Sequence, residues 1–509
     1  MDNTKYRNNK NNDLKLIRLI LITLKKVAET LKMWIAKVNK NREGKYSSTF
    51  ISLCSAILSA MLLIIMLFVP PYLGMSDDGS FARVSNPAGI YHLDSADEDL
   101  YFNYYVKEYL SLSPKAPSDV SFSAQRLLIH IAKFIDNLFT QDNLFDLRFL
   151  ALIYGLLFIP AIALLIKQAT QRAKTFAQSI VIALFGIIIF VDVSYITYFS
   201  SFYNKPIMYI GILFCVGAAF SLQEDRHNPI YLIVFTSFGM LVTTAENQCA
   251  VVGIFLGILC VKFIFISKDV FWRLGCICCV LLLFASVMFS VYYVPTTYTQ
   301  TSKYHAMTRG VLLQATDPEQ TLQEFGIDSS YAVLTDTSSY DNYPFVKPDN
   351  KLLEKGFYDR YSENEIFYYY LKKPKAMIAM LDISVKSALD FRAGYSGNYE
   401  KSVGMPKMAK SLFWSIWSNF KTNSAPRTIG FIIVLLIAIL FLFRNKSIKS
   451  SIPLETMLIV FCIGISQAII TIVNSGDAEM SQHLFLLSVS IDILIYFCFS
   501  QVLNRLNII

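Results

Sequence analysis

The sequence predicts an all-α integral membrane protein with about ten transmembrane helices, joined by two long extracytoplasmic loops that contain amphipathic helices. Three observations predict it. Of 509 residues, 54% are hydrophobic and only 17% charged, and the mean hydropathy is +0.44, too apolar for a soluble chain of this size. Ten runs are each apolar enough and close enough to the roughly 20 residues that a span needs. Polar residues collect instead in two long stretches, 71–146 and 295–426.

The ten runs are 51–70, 147–166, 176–198, 206–222, 230–245, 249–266, 272–294, 427–443, 453–473 and 483–503, the fifth being the shortest. Residues 1–49 carry twelve Lys and Arg against four Asp and Glu, which accounts for the whole net charge of +8. A basic segment before the first span holds the N-terminus in the cytoplasm. The gaps 167–175, 223–229, 267–273 and 444–451 then fall on the cytoplasmic side, and three of the four are clearly basic. No Ala-x-Ala-like site follows the first run, which reads as a retained signal anchor.

This divides the chain into a basic cytoplasmic segment 1–49, a membrane domain 50–505 and a cytoplasmic tail 506–509. Within the first, residues 13–38 space apolar side chains helically with Lys and Arg opposite, as an interfacial helix or a solvated basic tail would. In the second long loop, "ENEIFYYYLKKPKAMIAMLDISVKSAL" (363–389) reads as one amphipathic helix on the outer face, its tyrosines at headgroup depth. All nine cysteines lie within or beside apolar runs, so "CICC" (276–279) reads as packing residues rather than metal ligands.

Apart from those four cytoplasmic gaps, the short motif-like polar strings between or beside spans all face the outer side. "SDDGSF" puts Asp77 and Asp78 just beyond the first span. Neighbouring carboxylates in a partly dehydrated cleft hold a proton more readily, which suits a general base; an exposed turn is the alternative. Outward cations that could meet a phosphate are Lys205 in "FSSFYNKP", Arg309 in "YHAMTRG", Arg392 in "FRAGYSGNYEKS", Arg83 and His483; each could instead snorkel at the interface. "NSGDAEMSQHLF" offers Asp477, Glu479 and His483, either as site residues or as a capped helix start. Glu246 sits in a very short link between spans, while Asp192 and Asp492 lie inside spans, where a carboxylate is a functional suspect.

Taken in order, "SDDGSFARV", "FSSFYNKP", "YHAMTRGVL", "FYYYLKKPKAM", "GYSGNYEKS" and "GDAEMSQHLFLL" resemble the GT-C glycosyltransferases, and more narrowly bacterial WsfD-type hexosyltransferases of surface-glycan clusters. The likeness runs over residues 50–505. It implies a GT-C-like fold, a polyprenyl-phosphate sugar donor and a glycan or glycolipid acceptor, with Asp77 as catalytic base and outer-loop cations on the donor phosphate. The expectation is an inverting hexosyltransferase of the plasma membrane working on its extracytoplasmic face. Asp78 would orient the acceptor or a cation, and Lys205, His483 and Arg392 would hold the phosphate. No cofactor is required and no nucleic acid is expected; two adjacent acids could take a divalent ion, but no spacing demands one. A flippase of lipid-linked glycan, or a non-catalytic subunit of a glycan assembly complex, are the competing readings; no repeated halves support the first.

Overall fold

The computed structural model describes residues 48–505 apart from 94, 114–123, 141, 226–227, 293–296, 342–349, 391, 393–395, 445–451 and 479. The expected interfacial helix at 13–38 and the tail 506–509 lie outside the described residues.

Helices form at all ten apolar runs, and polar residues set their ends. Helix α1 spans Ser48–Phe68 without a charge. The segment that follows builds α2 (Ala82–Ser85), β1 (Ile90–Tyr91), β2 (Glu108–Ser111), α3 (Ala124–Phe139) and β3 (Leu144–Asp146). The strands pair antiparallel in the order β1-β2-β3, with Ile90 opposite Ser111 and Glu108 opposite Asp146. This small sheet is an addition to the all-α expectation, made by strands too short to register in a hydropathy pattern.

Asp146 caps α4 (Leu147–Thr170), accepting from the Arg148 amide at 2.9 Å. Thr175 caps α5 (Phe176–Phe190), after which Asp192 caps a further short turn and the pair bends by 45°. Pro206 and Pro229 stand in the first turns of α6 (Lys205–Glu224) and α7 (Pro229–Thr243), where a missing amide hydrogen costs nothing. A 3₁₀ turn at Asn247–Cys249 leads into α8 (Ala250–Ile264), followed by α9 (Val270–Tyr292). Packed pairs are α1 with α4, α6 with α7, and α8 with α9.

The second long segment contains α10 (Thr297–His305), a π-helical turn at Ala306–Val311, α11 (Glu363–Lys372) and α12 (Pro374–Leu389). Residues 363–389 are thus two helices, not one. Pro374 cannot continue a helix begun before it, and Lys373 takes an extended φ of −117°. Nor are the tyrosines a surface row: Tyr369 and Tyr370 are buried in protein and only Tyr368 is exposed.

Helix α13 (Ile416–Ser424) turns by 119° into α14 (Ile429–Phe443), and α15 (Ile452–Ser475), α16 (Met480–His483) and α17 (Phe485–Arg505) complete the chain. Seven helices among the described residues are long and apolar enough to cross a membrane, nine if each bent pair is one span; α7 is the shorter apolar helix beside them. The chain is a multi-pass membrane protein.

Asp192 and Asp492, the two carboxylates inside apolar runs, tie the bundle together. Lys421 of α13 reaches both oxygens of Asp492 at 3.1 and 3.0 Å and the Ser488 hydroxyl at 2.6 Å, with all four atoms buried. Tyr195 donates to the same carboxylate, and Asp192 accepts from the Ser194 amide at 3.0 Å and the Ser418 amide at 2.9 Å. Both long segments meet at one end of the bundle. Gly74 N–H donates to Asn398 O and Ser76 N–H to Gly397 O, each at 3.1 Å.

Candidate active site

Asp77 is nearly inaccessible, and its carboxylate is held by three donors. Oδ1 accepts from the amides of Gly79 at 2.7 Å and Phe81 at 3.1 Å. That fold-back needs a left-handed residue two positions on, and Gly79 supplies it with φ of +92°. Oδ2 lies 2.9 Å from His92 Nε2, which reaches it from the end of β1 across fifteen residues of sequence. The ring is set edge-on to Tyr101 and packs against the buried Tyr109. His92 Nδ1 is buried with no hydrogen-bond partner among the described residues, so Nε2 is the nitrogen that meets Asp77. Sequence reading missed His92: nothing local in "IYHLD" marks it, since its partner lies fifteen residues upstream in a segment bridged to Tyr101.

Asp78 points the other way. Its Oδ2 accepts from Gln482 Nε2 at 2.7 Å, joining the first long segment to the string before the last span. The adjacent His483 is half-buried; burial first, then the charge of Lys205, push its imidazole down to about 4, against the pull of Glu246 and Asp78. At neutral pH it is therefore an uncharged hydrogen-bonding group. Its carbonyl accepts from Gln248 Nε2 at 3.2 Å, and the same nitrogen donates to Glu246 Oε2 at 3.0 Å. Glu246 in turn pairs with the buried Lys205 at 2.8 Å. Five stretches distant in sequence thus form one polar cluster: Asp77 and His92, Asp78 and Gln482, His483 and Gln248, Glu246 and Lys205.

Arg309 and Asp477 also meet, but as each other's partners. The guanidinium bonds the carboxylate through Nε at 2.7 Å and Nη2 at 3.0 Å, and its third nitrogen turns to Asp336. The contact depends on Gly476, whose φ is +59° and where a Cβ would lie 2.5 Å from the Gly310 nitrogen. Nearby, the buried His305 accepts at Nε2 from the Ser339 amide at 3.0 Å. An acceptor nitrogen is an unprotonated one, in keeping with a ring pushed down to about 4 by burial and by Arg309. Arg392 instead bonds the Ser411 carbonyl at 2.5 Å, and burial lowers its proton affinity. Glu479 lies outside the described residues. Among the described residues no three His, Cys, Asp or Glu side chains gather as a metal-holding set.

What the arrangement offers is a carboxylate oxygen fixed by His92, Asp77 Oδ2, and, from the next residue Asp78 onward, a second carboxylate linked to a neutral imidazole and a lysine. Such a set can take a proton from a hydroxyl and meet an anion a short distance away.

The comparisons with known proteins divide sharply. No curated protein matches the chain. Among solved structures, the archaeal oligosaccharyltransferase AglB from Archaeoglobus fulgidus, in complex with an inhibitory peptide and a dolichol-phosphate, aligns over 89% of this chain and 50% of its own, at 11% identity and a TM-score of 0.36. The apo form of the Archaeoglobus fulgidus oligosaccharyltransferase aligns over 90% and 51%, at 13% identity and a TM-score of 0.38. The chain spans about half the length of these proteins, and likeness at that level carries no argument about fold or activity. The family match is informative about membership: a family model covers residues 35–509. It names a transmembrane domain and not the narrower WsfD-type group. The chain belongs to the family of the YfdI N-terminal transmembrane domain.

Proposed function

We propose that the protein is an inverting glycosyltransferase that moves a hexose from a polyprenyl-phosphate donor to a cell-surface or lipid-linked glycan acceptor on the extracytoplasmic face. The observation that carries this reading is the Asp77 carboxylate, buried and held by two backbone amides and His92 beside the Asp78, His483 and Lys205 cluster. The order of motifs shared with GT-C glycosyltransferases supports the donor class, and its WsfD-type likeness is the basis for a hexose.

The acceptor hydroxyl gives its proton to Asp77 Oδ2 while its oxygen bonds to the anomeric carbon. The bond from that carbon to the donor phosphate oxygen breaks, and its electron pair leaves with the lipid phosphate. Attack opposite the leaving group inverts the anomeric centre. Asp78 orients the acceptor. Lys205 has three donors, one of which Glu246 takes, and with His483 it meets the departing phosphate, whose charge raises the imidazole's hold on a proton. Arg309 is bound to Asp477 and Asp336, and Arg392 gives one of its donors to the Ser411 carbonyl; the proposal therefore puts the phosphate on Lys205 and His483 first.

The test is transfer from labelled polyprenyl-phosphate hexose by purified protein in detergent, with Asp77→Asn alongside. Asparagine keeps one oxygen for the Gly79 and Phe81 amides, so the loop survives, while loss of a general base cuts the rate about 10²- to 10⁴-fold. Undiminished transfer by a folded Asp77→Asn protein would refute the assignment. Lipid translocation without any new glycosidic product would favour a flippase.

A further inference from the structure

A bulky side chain in the left-handed region is a backbone outlier, whereas Asn and Asp visit that region readily. Asn143 and Asp336 are the ordinary cases, with φ of +56° and +63°. Phe102 and Met408 are not: their φ values are +61° and +59°. The two are joined, since the Met408 amide donates to the Asn103 carbonyl at 3.0 Å. Burial compensates neither, because Phe102 is exposed by 38% and Met408 by 41%. A conformation that glycine or asparagine would hold more easily is thus occupied by two large side chains open to solvent. Strain of that kind collects where something outside the fold uses it.

The strained turn is built onto Asp77. The Phe102 amide donates to the Asp77 carbonyl at 2.7 Å, and the Phe102 carbonyl accepts from the Gly397 amide and the Ser76 hydroxyl, both at 2.8 Å. Tyr101 forms a parallel bridge with Asp77 and sets its ring edge-on to that of His92, with centres 5.6 Å apart. Burial, then the charges of Asp77 and Asp97, strengthen the hold of its hydroxyl on the proton, so Tyr101 is a hydrogen-bond donor close to the carboxylate. The flanking residues carry two ion pairs that reach solvent, Glu98 with Lys407 at 2.6 Å and Asp99 with Lys401 at 2.7 Å.

We infer that Tyr101 and Phe102 seat a sugar ring beside Asp77, and that this sugar is the acceptor whose hydroxyl Asp77 deprotonates. An aromatic face is electron-rich and draws the polarised C–H bonds on one face of a pyranose. The hydroxyls at the sugar's edge meet the Tyr101 hydroxyl and the charged rim, which a lipid chain would strip of water without replacing the hydrogen bonds. That the sugar is the acceptor rests on the proposed transferase activity; the seat itself does not.

The experiment uses the full chain in nanodiscs, free of glycoside detergent, with methyl hexosides as the binding probe and saturation-transfer NMR as the readout. Phe102→Asn removes the ring and eases the left-handed φ, so it should melt no lower than wild type. Wild-type protein should pass saturation to hexoside ring protons, and Phe102→Asn should weaken hexoside binding about 10-fold. Tyr101→Phe, which keeps a ring and loses the hydroxyl, should weaken it less. With labelled polyprenyl-phosphate hexose as donor and octyl hexosides as acceptors, Phe102→Asn should raise the acceptor KM by the same factor and leave the donor KM unchanged. No saturation transfer to wild type's hexosides, or equal transfer in a folded Phe102→Asn protein, would overturn the inference. A rise in the donor KM alone would place the donor sugar on the rings and overturn the assignment to the acceptor. Hexoside binding without any glycosidic product would refute the transferase reading and leave the sugar seat standing.

Discussion

At the scale of single residues, the proposed base depends on a ring that no local pattern announces. Oδ1 of Asp77 is already saturated by backbone amides, so the position and orientation of Oδ2 rest on His92 alone. A hydrogen bond to a charged group contributes about 1.5–3 kcal/mol. His92→Ala is therefore expected to lower the transfer rate about 10- to 100-fold with little change in KM, and His92→Gln, which keeps an N–H donor, to recover part of it. Wild-type turnover in His92→Ala would separate His92 from the reaction while leaving Asp77 untouched.

At the scale of elements, two junctions carry strain or charge that can be measured. The turn between α15 and α16 approaches the π-helical turn so closely that Gly476 has no room for a side chain. Gly476→Ala combines a left-handed φ with a backbone clash and should cost about 1–3 kcal/mol, read as a lower melting temperature in detergent; an unchanged melting temperature would show that the two turns do not pack as described. On α3, Asp136 faces the protein with Oδ2 unpartnered, and burial raises its carboxyl to about 7. The charges of Asp146 and Asp142 push the same way, and the Thr140 hydroxyl and the Asp146 backbone amide oppose. An acid held more tightly protonated when folded contributes its stability at low pH and loses it as pH climbs from about 4 to about 7. Thermal stability should fall across that window, and Asp136→Asn should flatten the fall.

At the scale of the whole molecule, the buried Lys421 and Asp492 pair fastens the sharply turned α13 to α17. Removing one partner of such a pair strands the other charge in apolar surroundings, at a cost of about 3–5 kcal/mol. Asp492→Leu or Lys421→Met alone should therefore destabilise more than the two together. Thermal denaturation of the three variants checks this, and a double variant worse than both singles would argue against a mutual pair. The carboxylates singled out as functional suspects because they lie in apolar runs are thus accounted for by anchoring.

The sequence by itself determined the spans and their approximate bounds, because crossing lipid demands about 20 apolar residues in a row and that demand is local. It also brought Asp77 and Asp78 forward, since adjacent acids beside a span are visible in a few letters. What a string of letters cannot carry is which distant side chains meet. The pairing of Asp77 with His92, the Lys205 and Glu246 link across two short loops, and the commitment of Arg309 to Asp477 were decided only by tertiary structure. So was the fate of the three consecutive tyrosines, two turned into protein and one to the surface. The physical reason is the same in each case: charge and burial are properties of a neighbourhood, and here each neighbourhood is assembled from segments tens to hundreds of residues apart.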